Sequence, residues 1–130
     1  MIVSQILKSK ADIGVISVKA DASVSEAVGI LSEKRIGTVV VSEDGASLDG
    51  ILSERDIVRE MGKRGVACLA EPVSAIMTAK LVTCSPEDTA DKVLEMMTIG
   101  RFRHLPVMDN GAMVGLISIG DVVKARLSEL

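Results

Sequence analysis

The chain is written twice. Slid along itself by 66 positions, Ile16-Ser17-Val18 falls on Val82-Thr83-Cys84, and Ser23, Val24, Ala27, Val28, Leu31 and Ile36 fall on Thr89, Ala90, Val93, Leu94, Met97 and Phe102. One extra residue in the first half changes the shift to 65, after which Gly50, Ser53, Asp56 and Val58 meet Gly115, Ser118, Asp121 and Val123. Val3-Ser4-Gln5-Ile6-Leu7 likewise resembles Val73-Ser74-Ala75-Ile76-Met77. A repeat constrains the fold before local propensity does, because each copy must be the same supersecondary unit. With 130 residues in all, neither copy can bury a sheet alone, so the two are expected to share one core.

Each copy reads as strand, helix, strand, strand, helix. In the first, Ser23-x-x-Glu26 has the form of a capping box, and Val24, Ala27, Val28 and Leu31 make an i, i+3, i+4, i+7 stripe. The β-branched run Thr38 to Val41 leads through Glu43-Asp44-Gly45 into Leu48 to Leu52, a hairpin. The second copy repeats it with His104 to Met108, Asp109-Asn110-Gly111 and Met113 to Ile117, and Asn-Gly is a strong two-residue hairpin signal. A closing helix follows in each, Glu54 to Met61 and Gly120 to Leu127. Gly62-Lys63-Arg64-Gly65 ends the first copy, giving a first repeat over 1–62, a linker over 63–72 and a second repeat over 73–130. The expected class is α+β: two three-stranded sheets packed face to face, helices outside.

Composition excludes several functions. At 48% hydrophobic and 25% charged the chain is not disordered, and its apolar runs are too short to span a bilayer. One Phe, no Tyr or Trp and a net charge of −3 leave neither a stacking platform nor a basic field for nucleic acid. Cys68, Cys84 and the single His104 cannot build a metal or dithiol centre, and G-x-S-x-G, Walker A and G-x-G-x-x-G are absent. No enzyme is expected, no metal and no catalytic cofactor. Met1 to Lys10 lacks the apolar stretch of a signal peptide, which reads as cytoplasmic.

The strings Gly50-Ile51-Leu52-Ser53-Glu54-Arg55-Asp56 and Gly115-Leu116-Ile117-Ser118-Ile119-Gly120-Asp121, with Arg103-His104-Leu105-Pro106-Val107 before the second, resemble the cystathionine-β-synthase (CBS) domain. Two in tandem resemble the CBS pair called a Bateman module, here without a fused enzyme or transporter. The resemblance implies two β-α-β-β-α repeats packed through their sheets with pseudo-two-fold symmetry. It further implies a regulatory module binding an adenosine-containing ligand in clefts between the repeats. AMP stands foremost, with ADP, ATP, NAD(H) and S-adenosylmethionine as the others. A flat homodimer formed through the helices and a target protein reached in trans are also implied. The alternative is a ligand-free module for protein–protein interaction or dimerisation.

A ribose cis-diol is well held by a carboxylate, which accepts both hydroxyl protons, and Asp56 and Asp121 are the candidates. An acid at a helix start also offsets the macrodipole, and the two roles are compatible. Ser53 and Ser118, three residues earlier, can cap the helix or donate to a ligand oxygen. Arg101 and Arg103, alternating about Phe102 in an extended segment, would present both guanidinium groups on one face for a phosphate, or form a solvated basic surface. His104 and its counterpart Thr38, Pro106, and Arg55 inside the first string complete that side, and Gly120 opposite Arg55 makes the two sites chemically unlike. The resemblance places Ile16, Ser17, Val82 and Thr83 on the first strand of each repeat, lining an adenine pocket; their bland alternative is an ordinary strand residue. Met96 and Met97 read as core or dimer surface, and Cys84 as a small buried hydrophobe.

Overall fold

The computed structural model describes residues 1–10 and 15–130. Its elements run α1 (Val3–Ser9), β1 (Ser17–Val18), α2 (Val24–Lys34), β2 (Thr38–Val41), β3 (Gly50–Ser53), α3 (Glu54–Arg64), α4 (Ala90–Gly100), β4 (His104–Asp109), β5 (Ala112–Ser118) and α5 (Ile119–Ser128), with 3₁₀ turns at Gly65–Ala70 and Val73–Ala75. The expected α+β class is found, and so is the expected order of elements in the first copy; the second copy has its helix, hairpin and closing helix. The hydroxyls of Ser23 and Thr89 accept the Glu26 and Lys92 amides, so α2 and α4 start at matching positions. Asn110 and Gly111 both adopt positive φ, 52° and 80°, the conformation a two-residue turn between twisted strands requires. In the first hairpin the Asp44 carboxylate accepts the Ala46 and Ser47 amides at 2.9 and 2.7 Å. That longer loop starts the return strand at Gly50 rather than at the expected Leu48.

Two compact units result, and they do not follow chain order: one is Val15–Leu81, the other joins residues 1–10 to Val82–Leu130. The segment that precedes each repeat is built into the unit of the other repeat. In the first unit Val73 and Ile76 pack with Val39, Val41 and Leu52 of the sheet and Val24, Ala27 and Leu31 of α2. In the second, Val3 and Ile6 pack with Leu105, Val107 and Ile117 and with Val93 and Met97 of α4. Residues 63–72, expected to be a linker, carry the last residues of α3 and a 3₁₀ turn that buries Cys68 and is closed by ion pairs from Arg64 to Glu60 and Glu71.

The repeated motif glycine follows from this exchange. A Cβ at Gly50 would stand 2.8 Å from both the Met77 sulfur and the Thr78 carbonyl oxygen, and one at Gly115 would stand 2.9 Å from a Leu7 methyl. Leu7 and Met77 are equivalent in the two preceding segments, so each bare glycine is where its segment lies flat on the sheet. The Ile51 and Thr78 amides and carbonyls then exchange hydrogen bonds at 3.0 and 2.8 Å.

The sheets differ from expectation in one respect. The first has three strands, with β1 parallel to β2 and β2 antiparallel to β3, whereas the second has two, β4 and β5. Its expected third strand shrinks to one bridge between Cys84 and Val107. In the first unit the Val40 amide donates to the Ile16 carbonyl. The residue equivalent to Val40 is Pro106, which has no N–H, so the matching bond to Val82 cannot form. The neighbouring bonds, Cys84 amide to Pro106 carbonyl and Met108 amide to Cys84 carbonyl, are kept.

Gly50→Val and Gly115→Val should each lower unfolding stability by about 1–3 kcal/mol through overpacking. Gly29→Ala, on an open face of α2 with nothing within 4 Å of a new Cβ, should instead add about 0.5–1 kcal/mol. Urea unfolding of the three variants checks both signs, and equal small effects at all three would disprove this account of the motif glycine.

Candidate functional site

In each unit a strand hands over to a helix through a Ser–Asp pair. In the first, Ser53 ends β3; its hydroxyl accepts the Asp56 amide at 3.2 Å, while the Asp56 carboxylate accepts the Ser53 amide at 2.9 Å. This reciprocal capping satisfies helix-start donors at both ends of the turn. The Gly37 carbonyl accepts the Glu54 amide at 2.9 Å, tying the start of β2 to the same turn. Asp56 is 5% exposed, and its second oxygen accepts from the Arg59 guanidinium at 2.9 Å and the Thr78 hydroxyl at 3.4 Å. Thr38 is buried opposite Ser53, Ile16 and Ser17 lie half-buried along the edge strand, and Arg55 projects from the first turn of α3 into solvent.

The second unit repeats the turn with different company. Ser118 accepts the Asp121 amide at 3.1 Å and Asp121 accepts the Ser118 amide at 2.8 Å, while the Arg103 carbonyl takes the Ile119 amide at 2.8 Å. The cation here is Lys10, just past α1, whose ammonium lies 2.9 Å from Asp121 Oδ2 and donates to the Leu116 carbonyl at 2.9 Å. Burial opposes ionisation of Asp121, but the Lys10 hydrogen bond and charge and the Ser118 N–H outweigh it and hold the carboxyl below the usual range. The Asp121 side chain keeps 21% exposure. Capping is therefore the role both carboxylates already fill, and diol binding is the role still open to them.

The basic residues do not sit as an extended alternation would place them. Arg101 is the left-handed residue that ends α4, φ 59°, as its repeat partner Arg35 ends α2 at φ 55°. Arg103 lies at a bend just ahead of β4, which begins at His104. Both arginines are exposed and Phe102 packs half-buried against the core. His104 pairs across the hairpin with Ser118, and Pro106 is buried behind it. Val82 and Thr83 are exposed and outside any strand, for the reason Pro106 supplies. Val82 lies beside a shallow apolar groove walled by Met96, Ile99 and Phe102. Met97 and Cys84 are core residues, and burial pushes the Cys84 thiol up to about 11.

Three side chains on the carboxylates escaped the sequence reading. Arg59 was visible in principle, three residues after Asp56 on one helix face. Lys10 and Thr78 reach their partners only because the preceding segments are exchanged between units, which no spacing reveals.

The depressed pKa of Asp121 has a signed consequence. The stabilisation it brings is present above the unfolded carboxylate value, about 3.9, and is lost as pH falls through the lower folded value. Lys10→Met should lower stability at neutral pH and shrink the loss on acidification, and in Asp121→Asn that loss should vanish, both read from thermal melts between neutral and acid pH. Superimposable acid limbs in the native chain and Lys10→Met would show the ion pair to be inconsequential.

These features coincide with known proteins. The family profile described as the CBS domain matches residues 3–63 and again 73–128. The CBS-domain containing protein ATU1752 from Agrobacterium tumefaciens shares 44% identity over 97% of this chain and 99% of its own, with a TM-score of 0.91. The crystal structure of CBSX2 in complex with AMP shares 25% identity over 98% of this chain and 97% of its own, with a TM-score of 0.82. The CBS domain-containing protein CBSX3, mitochondrial, of Arabidopsis thaliana is 36% identical over 98% of this chain, which spans 65% of that relative's length. The repeat, the paired Ser–Asp turns and these matches together make this chain a member of the CBS-domain family, with two CBS domains in tandem.

Proposed function

We propose that the chain is a regulatory module that binds an adenosine-containing nucleotide at its Ser–Asp turns and passes the occupancy to a target protein in trans. The observation that carries this reading is the half-exposed Asp121 carboxylate, ionised by its surroundings and set where β5 meets α5, with Ser118 beside it and Arg103 and His104 on the facing strand start. A carboxylate suits a ribose diol, and guanidinium or imidazole groups suit phosphate. AMP is the foremost ligand: CBSX2, the relative above that covers nearly the whole chain, has been crystallised with it. ATP, NAD(H) and S-adenosylmethionine are the competing ligands.

A homodimer belongs to the same reading. Ile99 on α4 is 76% exposed and Leu127 on α5 is 63% exposed, with Val123 and Ile119 beside it on α5 also exposed. A helix surface of that kind favours self-association. Two buried free cysteines suit a reducing cytoplasm. Among the described residues, no helix is long and apolar enough to cross a membrane.

A ligand that binds only the folded chain stabilises it by about 2.7 kcal/mol at a hundredfold excess over Kd, which should raise the melting midpoint by several degrees. AMP, ADP, ATP, NAD(H) and S-adenosylmethionine are tested in parallel on protein shown by native mass spectrometry to be free of nucleotide. Five unmoved melting curves would refute the reading in favour of a ligand-free interaction module. Sedimentation should give a dimer at micromolar concentration, and a clean monomer would refute the homodimer.

A further inference from the structure

We infer that the hairpin turn Asn110-Gly111 is a covalent modification site, where the side-chain amide closes onto the Gly111 nitrogen, ammonia leaves, and an aspartyl or isoaspartyl residue results. The equivalent turn of the first copy, Asp44-Gly45, is locked against the same chemistry. No ligand takes part, so the site stands apart from the adenosine reading above.

Asn110 and Gly111 are both exposed, and a Cβ built on Gly111 would meet nothing within 4 Å. Glycine places no side chain between its nitrogen and the neighbouring amide. Hydroxide removes the Gly111 N–H proton, the nitrogen attacks Cγ of Asn110, the Cγ–Nδ2 bond breaks, and ammonia takes up a proton as it leaves a cyclic imide. Water then opens the ring. Cleavage at Cγ gives aspartate in an unchanged backbone; cleavage at the main-chain carbonyl gives isoaspartate, whose backbone runs through Cβ and Cγ and is longer by one methylene. Either way a neutral amide becomes a carboxylate, and the net charge of −3 becomes one unit more negative. Closure needs the turn to open, and exposed loop tips open at low cost.

The first copy shows what holds such a turn shut. Asp44 and Gly45 are exposed too, and Gly45 has a φ of 85°. There the amide that would attack, that of Gly45, donates to the Ser42 hydroxyl at 2.9 Å. The Asp44 carboxylate accepts the Ser47 and Ala46 amides at 2.7 and 2.9 Å. Those two amides hold its carboxyl down at about 2, so it stays ionised and is a poor electrophile. In the second copy Met108 stands where Ser42 does, and among the described residues no hydrogen bond ties the Gly111 amide.

The two products differ in what they do to the fold. Aspartate accepts positive φ as asparagine does, so the hairpin survives. Isoaspartate lengthens a two-residue turn that sets Asp109 opposite Ala112. Because β4 and β5 are the whole sheet of this unit, that error reaches Leu105, Val107 and Ile117 in the core.

Peptide mapping by mass spectrometry tests this on the full chain, held at mildly alkaline pH below its melting midpoint. Asn110 should convert to both products, faster as hydroxide rises, while Asp44 stays unchanged. Asp44→Asn puts the same amide in the locked turn and should convert there at least about tenfold more slowly than Asn110, the rate ratio that breaking one hydrogen bond corresponds to. Adding Ser42→Ala to Asp44→Asn should remove most of that difference. Separated by ion exchange, the aspartyl form should melt with the native chain, as should Asn110→Asp, and the isoaspartyl form should melt lower. An Asn110 that stays intact, an Asp44→Asn chain that converts at that turn as fast as at Asn110, a double variant no faster than Asp44→Asn, or an isoaspartyl form that melts with the native chain would each overturn the inference.

Discussion

At the end of β3 the Ser53 amide points at the Asp56 carboxylate while the Asp56 amide points back at the Ser53 hydroxyl, and Ser118 and Asp121 do the same after β5. Everything near the candidate site is hung on this reciprocal pair. It stops the strand, starts the helix and fixes the carboxylate against the first turn, where the free N–H groups and the helix dipole favour a negative charge. The facing strand is drawn in by the bonds from Glu54 to the Gly37 carbonyl and from Ile119 to that of Arg103. A site assembled this way needs no extra scaffold, because the groups that shape it are those that any helix start must satisfy.

The same economy explains why the capping and binding readings of the aspartates were hard to separate beforehand. One oxygen suffices for the cap. Further donors come from elsewhere, Arg59 and Thr78 on the other oxygen of Asp56 and Lys10 on the capping oxygen of Asp121. The two carboxylates therefore share a motif and differ in their neighbours.

Much of the architecture was legible in the sequence. The duplication gave the element order, Asn110-Gly111 the tight hairpin, and the stripes of Val24, Ala27, Leu31 and of Val93, Met97 the buried helix faces. Local signals misled where one residue acts at a distance. The repeat predicts a strand at Val82–Cys84, yet Pro106 has no N–H to bond Val82 and the strand is reduced to one bridge. Arg101 looked extended by alternation but ends a helix in the left-handed region, a place more often given to Gly or Asn. At the capping box read at Ser23 the hydroxyl accepts the Glu26 amide, while the fully reciprocal boxes occur at the Ser–Asp strings.

The placement of α1 and of Val73–Ala75, each lying on the sheet of the repeat it does not precede, bears on how such a chain can be inherited. A cut at the repeat boundary strands Leu7 with one fragment and the glycine it covers with the other, and does the same to Met77 and Gly50. A repeat cut at that boundary exposes the strip of sheet its absent partner covered, whereas the continuous stretch Val15–Leu81 keeps Gly50 under Met77. The boundary that keeps this sheet covered therefore falls after Leu81, and not where the sequence repeat ends.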